Sequence, residues 1–137
     1  MFADCWSLKD LDISGWQLNS TSYASFFSNC YSLESVNISG FNTVNCTTLA
    51  TMFNNCLSLK SITYPSTWNT SKITTVASMF ANCYSLKEVN IDFSTWDVSK
   101  ITTLASMFAN CYSLKTIISK LDFIRLYYNG NNVLERL

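Results

Sequence analysis

Histidine is absent from the 137 residues, and with it go the commonest acid/base group at neutral pH and the commonest nitrogen ligand for metals. A Ser or Cys triad with a histidine base is excluded. Glycine occurs only three times, so there is no Gly-rich loop of the kind that cradles phosphates. Charge is also scarce: nine basic and nine acidic side chains make up 13% of the chain, about half the usual share, and they balance to zero. That composition disfavours nucleic acid and polybasic attraction to a membrane. No apolar run approaches the roughly 18 to 20 residues of a membrane span, and residues 1–4 lack the basic start and apolar core of a secretory signal. The chain is therefore expected either to stay inside the cell that makes it, starting natively at Met1, or to be a piece of a longer exported protein.

What is present is apolar side chains, 48% of the total, enough for one cored domain, together with 20 Ser, 14 Thr and 14 Asn. The surface must be built largely from small neutral polar groups. Self-similarity organises these residues. Residues 71–87 (SKITTVASMFANCYSLK) and 99–115 (SKITTLASMFANCYSLK) differ only at Val76 against Leu104. Weaker copies begin at Met1, Phe26 and Met52, so Cys5, Cys30, Cys56, Cys83 and Cys111 mark five units stepping by 25, 26, 27 and 28 residues.

Within a unit two local periods alternate. Apolar residues at 73, 76, 77 and 80 follow the i, i+3, i+4, i+7 stripe of a short helix. Beyond it, Leu86, Val89 and Ile91 are expected inward and Glu88, Asn90 and Asp92 outward, as in a short strand with one covered face. One helix and one strand cannot enclose a core, so units must stack with their strands in parallel. The expected fold is an α/β solenoid of leucine-rich-repeat type. It has five repeats of about 25–28 residues (1–25, 26–51, 52–78, 79–106, 107–118) and a C-terminal cap over 119–137 that reads as a hairpin around Asn129-Gly130, with a terminal helix as the alternative. The aromatic column Trp16, Phe41, Trp68 and Trp96 is expected to fill the bend after each strand. The first unit lacks a preceding helical turn, which suggests homo-oligomerisation through its uncovered side.

The motif Met-Phe-x-x-Cys-x-Ser-Leu-x-x-Leu-Asp-x-Ser-x-Trp, over about residues 1–118, resembles the BspA-like leucine-rich repeat surface proteins. The resemblance implies a leucine-rich-repeat fold, a cell-surface or extracellular setting, and adhesion or matrix binding in some members. It implies no catalytic residues.

Candidate sites follow from the columns. The outward strand positions Asp10, Ser35, Ser61, Glu88, Thr116 and Asp12, Asn37, Thr63, Asn90, Ile118 should form a concave face suited to a protein partner. The partner-binding set read from the sequence is Asp10, Asp12, Asn37, Thr63, Glu88, Asn90 and Asp92, with Tyr31, Tyr84 and Tyr112 from the column Trp6, Tyr31, Leu57, Tyr84, Tyr112 that follows each cysteine. Those rings pack at a corner or serve as interface anchors. The five in-register cysteines read as reduced, buried thiols, and off-column Cys46 as the reactive candidate. With no Cys-x-x-Cys and no His, neither a metal nor a cofactor is expected. Two carboxylate clusters, Asp10 with Asp12 and Glu88 with Asp92 and Asp97, lie three repeats apart. That is about 14 Å at one sheet spacing per repeat, too far for a glycosidase pair. The sequons at Asn19, Asn37, Asn45 and Asn69 are what chance supplies in such a composition. The expected function is a non-enzymatic protein-interaction module, with a surface-adhesin fragment or an intracellular, phage-encoded inhibitor as alternatives.

Overall fold

The computed structural model describes residues 1–117. The expected cap at 119–137 and Ile118 lie outside them. Regular structure is confined to very short parallel strands. β1 (Asp10–Asp12), β3 (Ser35–Asn37) and β5 (Ser61–Thr63) form one sheet in that order, β2 (Leu18–Asn19) pairs with β4 (Phe41–Asn42), and β6 (Glu88–Val89) pairs with β7 (Thr116–Ile117). The register runs Asp10, Ser35, Ser61 and Asp12, Asn37, Thr63, and separately Glu88 with Thr116. Residues 25 to 28 apart thus lie side by side, a repeat-type arrangement of small parallel sheets.

The strands are short because turns bound them at both ends. On entry, Leu33 N donates to Cys30 O, closing a β-turn at the Cys-x-Ser-Leu corner, and Leu8, Leu59, Leu86 and Leu114 repeat the bond. On exit, Asp12 Oδ1 accepts from Ser14 N and Asn37 Oδ1 from Ser39 N, the Asx turn that short polar side chains favour.

The helix expected before each Cys is replaced by consecutive β-turns, and among the described residues the one helical element is a 3-10 turn at Phe93–Thr95. From 76 to 83 the donors alternate. Met79, Ala81 and Cys83 N bond three residues back, whereas Ser78, Phe80 and Asn82 N bond Ala105, Met107 and Ala109 O in the next unit. Ser78 and Asn82 have φ of 54° and 63°, a left-handed conformation that a right-handed helix cannot contain. Turns of three to four residues still bury Val76, Met79, Phe80 and Cys83. An i, i+3, i+4, i+7 stripe therefore arises without a helix, and Ala77, assigned to the apolar face, is only half-buried.

The core is a set of columns. Phe2, Phe27, Phe53, Phe80 and Phe108 stack with centroids 5.2 to 5.7 Å apart and planes within 7°. Leu33, Leu59, Leu86 and Leu114 lie buried beside them. Each buried ring contributes about 1.5–3 kcal/mol by leaving water, and about 0.5–1.5 kcal/mol more by stacking.

The expected Trp16–Phe41 column is corrected by register: Leu18, not Trp16, stands opposite Phe41. Unit one carries two extra residues before its second strand, so Trp16 is displaced outward, 45% exposed, with its ring centroid 6.0 Å from that of Phe2. Gly40 fits beneath it, because a Cβ there would overlap the Trp16 and Ser14 carbonyl oxygens. Trp68 and Trp96 do lie side by side, with ring centroids 6.0 Å apart and planes tilted by 37°.

The stretch before the aromatic lengthens from two residues between Ile38 and Phe41 (Ser39, Gly40) to three between Tyr64 and Trp68 and four between Ile91 and Trp96. In the fourth unit this extra length forms the 3-10 turn and buries Phe93 against Trp96. Here the strand ladder is interrupted. Lys60 N bonds Glu34 O and Lys115 N bonds Lys87 O, but among the described residues no bond joins Lys87 N to Lys60 O.

Candidate functional site

The paired strands place one candidate group together. Asp10, Asp12, Asn37 and Thr63 line a shallow concavity of about 390 Å³ across β1, β3 and β5, with Ser35 and Ser61 between them. Alternation explains the placement: Val36 is buried and Leu11 and Ile62 half-buried, so their neighbours face out. Ser35 donates its hydroxyl to Asp10 Oδ1 at 2.5 Å. Ser14 hydrogen bonds, from the hydroxyl first and then the backbone N–H, hold the Asp12 carboxyl below its ordinary range. It is thus ionised at neutral pH while also closing a turn.

The remaining candidates are dispersed. Glu88 and Asn90 are exposed but lie past the interruption, where Asn90 Nδ2 donates to Glu88 Oε1 at 3.3 Å. Asp92 caps the 3-10 turn by accepting from Ser94 N. Asp12, Asn37 and Asp92 therefore carry structural bonds that the sequence reading did not assign them. Tyr31, Tyr84 and Tyr112 lie on a different edge, at the Cys-x-Ser-Leu corner, 40%, 40% and 64% exposed. They follow one another along the column, Trp6 stacked on Tyr31 at 6.3 Å and Tyr84 tilted against Tyr112 at 5.2 Å.

The cysteines are free and serve as donors. Cys30, Cys56, Cys83 and Cys111 Sγ bond the carbonyl oxygens of Phe2, Phe27, Phe53 and Phe80 at 3.0–3.2 Å. Burial raises their pKa values, Cys30 to about 11 and Cys111 to about 12. The expectation that Cys46 is reactive is corrected: it precedes Thr47-Thr48 as Ile73 and Ile101 precede their Thr pairs, is fully buried, bonds Thr48 O, and has a pKa raised by burial.

An asparagine ladder was missed altogether. Asn29, Asn55, Asn82 and Asn110 Nδ2 donate in succession to Asp4, Asn29, Asn55 and Asn82 Oδ1 at 2.6–2.8 Å, and all five residues have φ of 57° to 63°. The signal was available as an Asn or Asp immediately before every column cysteine. Asparagine is among the few side chains that tolerate this conformation.

A family model described as Mycoplasma protein of unknown function, DUF285, matches residues 1–121. The chain belongs to the DUF285 family. That membership is consistent with the resemblance to BspA-like repeat proteins. No curated protein and no solved structure matches this DUF285 chain. No helix among its described residues is long and apolar enough to cross a membrane.

Proposed function

We propose that this DUF285 protein is a non-enzymatic binding module, a five-unit solenoid of leucine-rich-repeat type that takes a protein partner on the concave face of its strands. The concavity over β1, β3 and β5 carries the reading: exposed Asp10, Asp12 and Thr63 and half-buried Asn37 are held on a hydrogen-bonded ladder, so little ordering cost accompanies recognition. Equivalent outward positions repeated on every turn suit an extended partner surface. The kinship with BspA-like surface repeats favours a second form of the same reading, in which the partner is an extracellular matrix protein and the chain part of an adhesin.

Affinity capture with the tagged chain tests both, offering cell lysate and host matrix in parallel with an Asp10→Ala/Thr63→Ala variant. Neither residue closes a turn, so the variant should keep its fold. A stoichiometric partner retained by the wild type and lost by the variant is the expected result, and retention from matrix alone supports the adhesin form. A partner held equally by both chains overturns the assignment to the strand face.

A further inference from the structure

The corner that leads into each strand carries two parallel columns. One is Lys9, Glu34, Lys60, Lys87 and Lys115, with its register set by Glu34 N to Lys9 O at 2.6 Å, Lys60 N to Glu34 O at 2.9 Å and Lys115 N to Lys87 O at 2.8 Å. Three residues earlier in each unit stands Trp6, Tyr31, Leu57, Tyr84 or Tyr112. Both columns are interrupted midway. Leu57 replaces a ring, and Glu34 pairs with Lys60 at 2.5 Å. In the last two units neither break occurs: Tyr84 and Tyr112 are adjacent exposed rings, 5.2 Å apart and tilted by 34°, and Lys87 and Lys115 are exposed with no ion-pair partner among the described residues.

The rings are not needed by the interior. Cys83, Leu86, Cys111 and Leu114 fill the core at this corner, leaving Tyr84 and Tyr112 in water. Adjacent exposed tyrosines present flat apolar faces with polar tips, chemistry suited to an interaction surface.

We infer that Tyr84, Tyr112, Lys87 and Lys115 form a docking strip for an anionic polysaccharide. The C–H face of a sugar ring lies flat on a tyrosine, and its carboxylate or sulfate meets an ammonium group, which as a point charge imposes no bidentate geometry. Lys87 and Lys115 stand one unit apart, about 5 Å along the stack, a spacing suited to a polymer with charges along its sugar rings. Nucleic acid fits less well. A duplex carries one charge per ~1.7 Å and keeps its bases stacked inside, so it offers no free ring face to the two tyrosines.

The test is equilibrium binding of the full chain to hyaluronan and heparin, with dextran as the neutral polymer and single-stranded DNA as the competing polyanion. Binding to at least one anionic polysaccharide and not to dextran is expected. Both Lys87→Gln/Lys115→Gln and Tyr84→Ala/Tyr112→Ala should weaken it about tenfold or more, a loss of about 1.4 kcal/mol. Asp10→Ala/Thr63→Ala should leave it unchanged, which separates this strip from the strand face. Tyr84→Phe/Tyr112→Phe keeps the platforms and should bind, a safeguard should the alanine pair lose its fold. No binding to either glycan at low salt overturns the proposal. So does binding indifferent to ring removal, equal binding of dextran, or tighter binding of the DNA.

Discussion

Asn82 answers two demands at one position: its φ is 63°, and its amide both donates to Asn55 and accepts from Asn110. Alanine fails both, at about 1–2 kcal/mol for the left-handed conformation and about 1 kcal/mol for the broken bonds. Asn82→Gly incurs only the second cost, because glycine adopts the left-handed conformation freely, so urea melts should place the glycine variant between wild type and Asn82→Ala. Glycine itself is a second residue-scale case. A Cβ at Gly40 would collide with backbone oxygens of Trp16 and Ser14, whereas Gly15 has open space around it. Gly40→Ala is expected to destabilise by about 1–3 kcal/mol, the usual cost of overpacking, and Gly15→Ala to be neutral or slightly stabilising when measured the same way.

At the scale of elements, the turns between strands are held by bonds to neighbouring units, and this decides their conformation. Ser78, Phe80 and Asn82 send their N–H groups sideways, so no i to i−4 ladder can form. Residues 1–117 are therefore expected to contribute no helical double minimum to the far-UV circular dichroism spectrum. The interruption between β5 and β6 makes a sharper prediction. Ile38 N bonds Thr63 O and Lys115 N bonds Lys87 O, but the equivalent bonds from Tyr64 N and Lys87 N are missing among the described residues. Hydrogen exchange should be faster at Tyr64 and Lys87 than at Ile38 and Lys115. Equal protection would mean that the strands run unbroken from the first unit to the last.

For the whole molecule, the buried thiols set the alkaline limit of stability. Each is neutral when protonated, and burial lifts Cys30 to about 11 and Cys111 to about 12 from an ordinary value near 9. Below pH 9 both folded and unfolded chains keep these protons and the contribution is complete. Above it the unfolded chain releases protons that the folded chain retains, so stability falls as pH rises toward the folded values. On the acid side the signs reverse. Asp12 and Asp97, lowered from 3.8 by bonds from Ser14 and Ser99, contribute above that value and lose their contribution as pH falls through the folded ones. Chemical denaturation from pH 3 to 11 should therefore give a plateau with both flanks falling. A curve still rising beyond pH 9 would show that the thiols are ionised inside the fold.

The residues that recur at fixed spacing were legible in the sequence alone. Column cysteines, Phe and Leu positions, parallel strand register at Asp10, Ser35 and Ser61, and outward Asp12, Asn37 and Thr63 all follow from a repeated motif, because stacked units place equivalent positions side by side. Three things required the tertiary structure. A stripe of buried residues at intervals of three and four does not distinguish a helix from successive turns, since that choice depends on whether N–H groups find partners four residues back or one unit away. Trp16 left its column because residues elsewhere in unit one shift the second strand by two positions, which only pairing reveals. The exposed Tyr84 and Tyr112 look like any other repeated aromatic until Cys, Leu and Phe are seen to fill the interior without them. Spacing thus determines which residues are neighbours, while competition for the interior decides which of them face water.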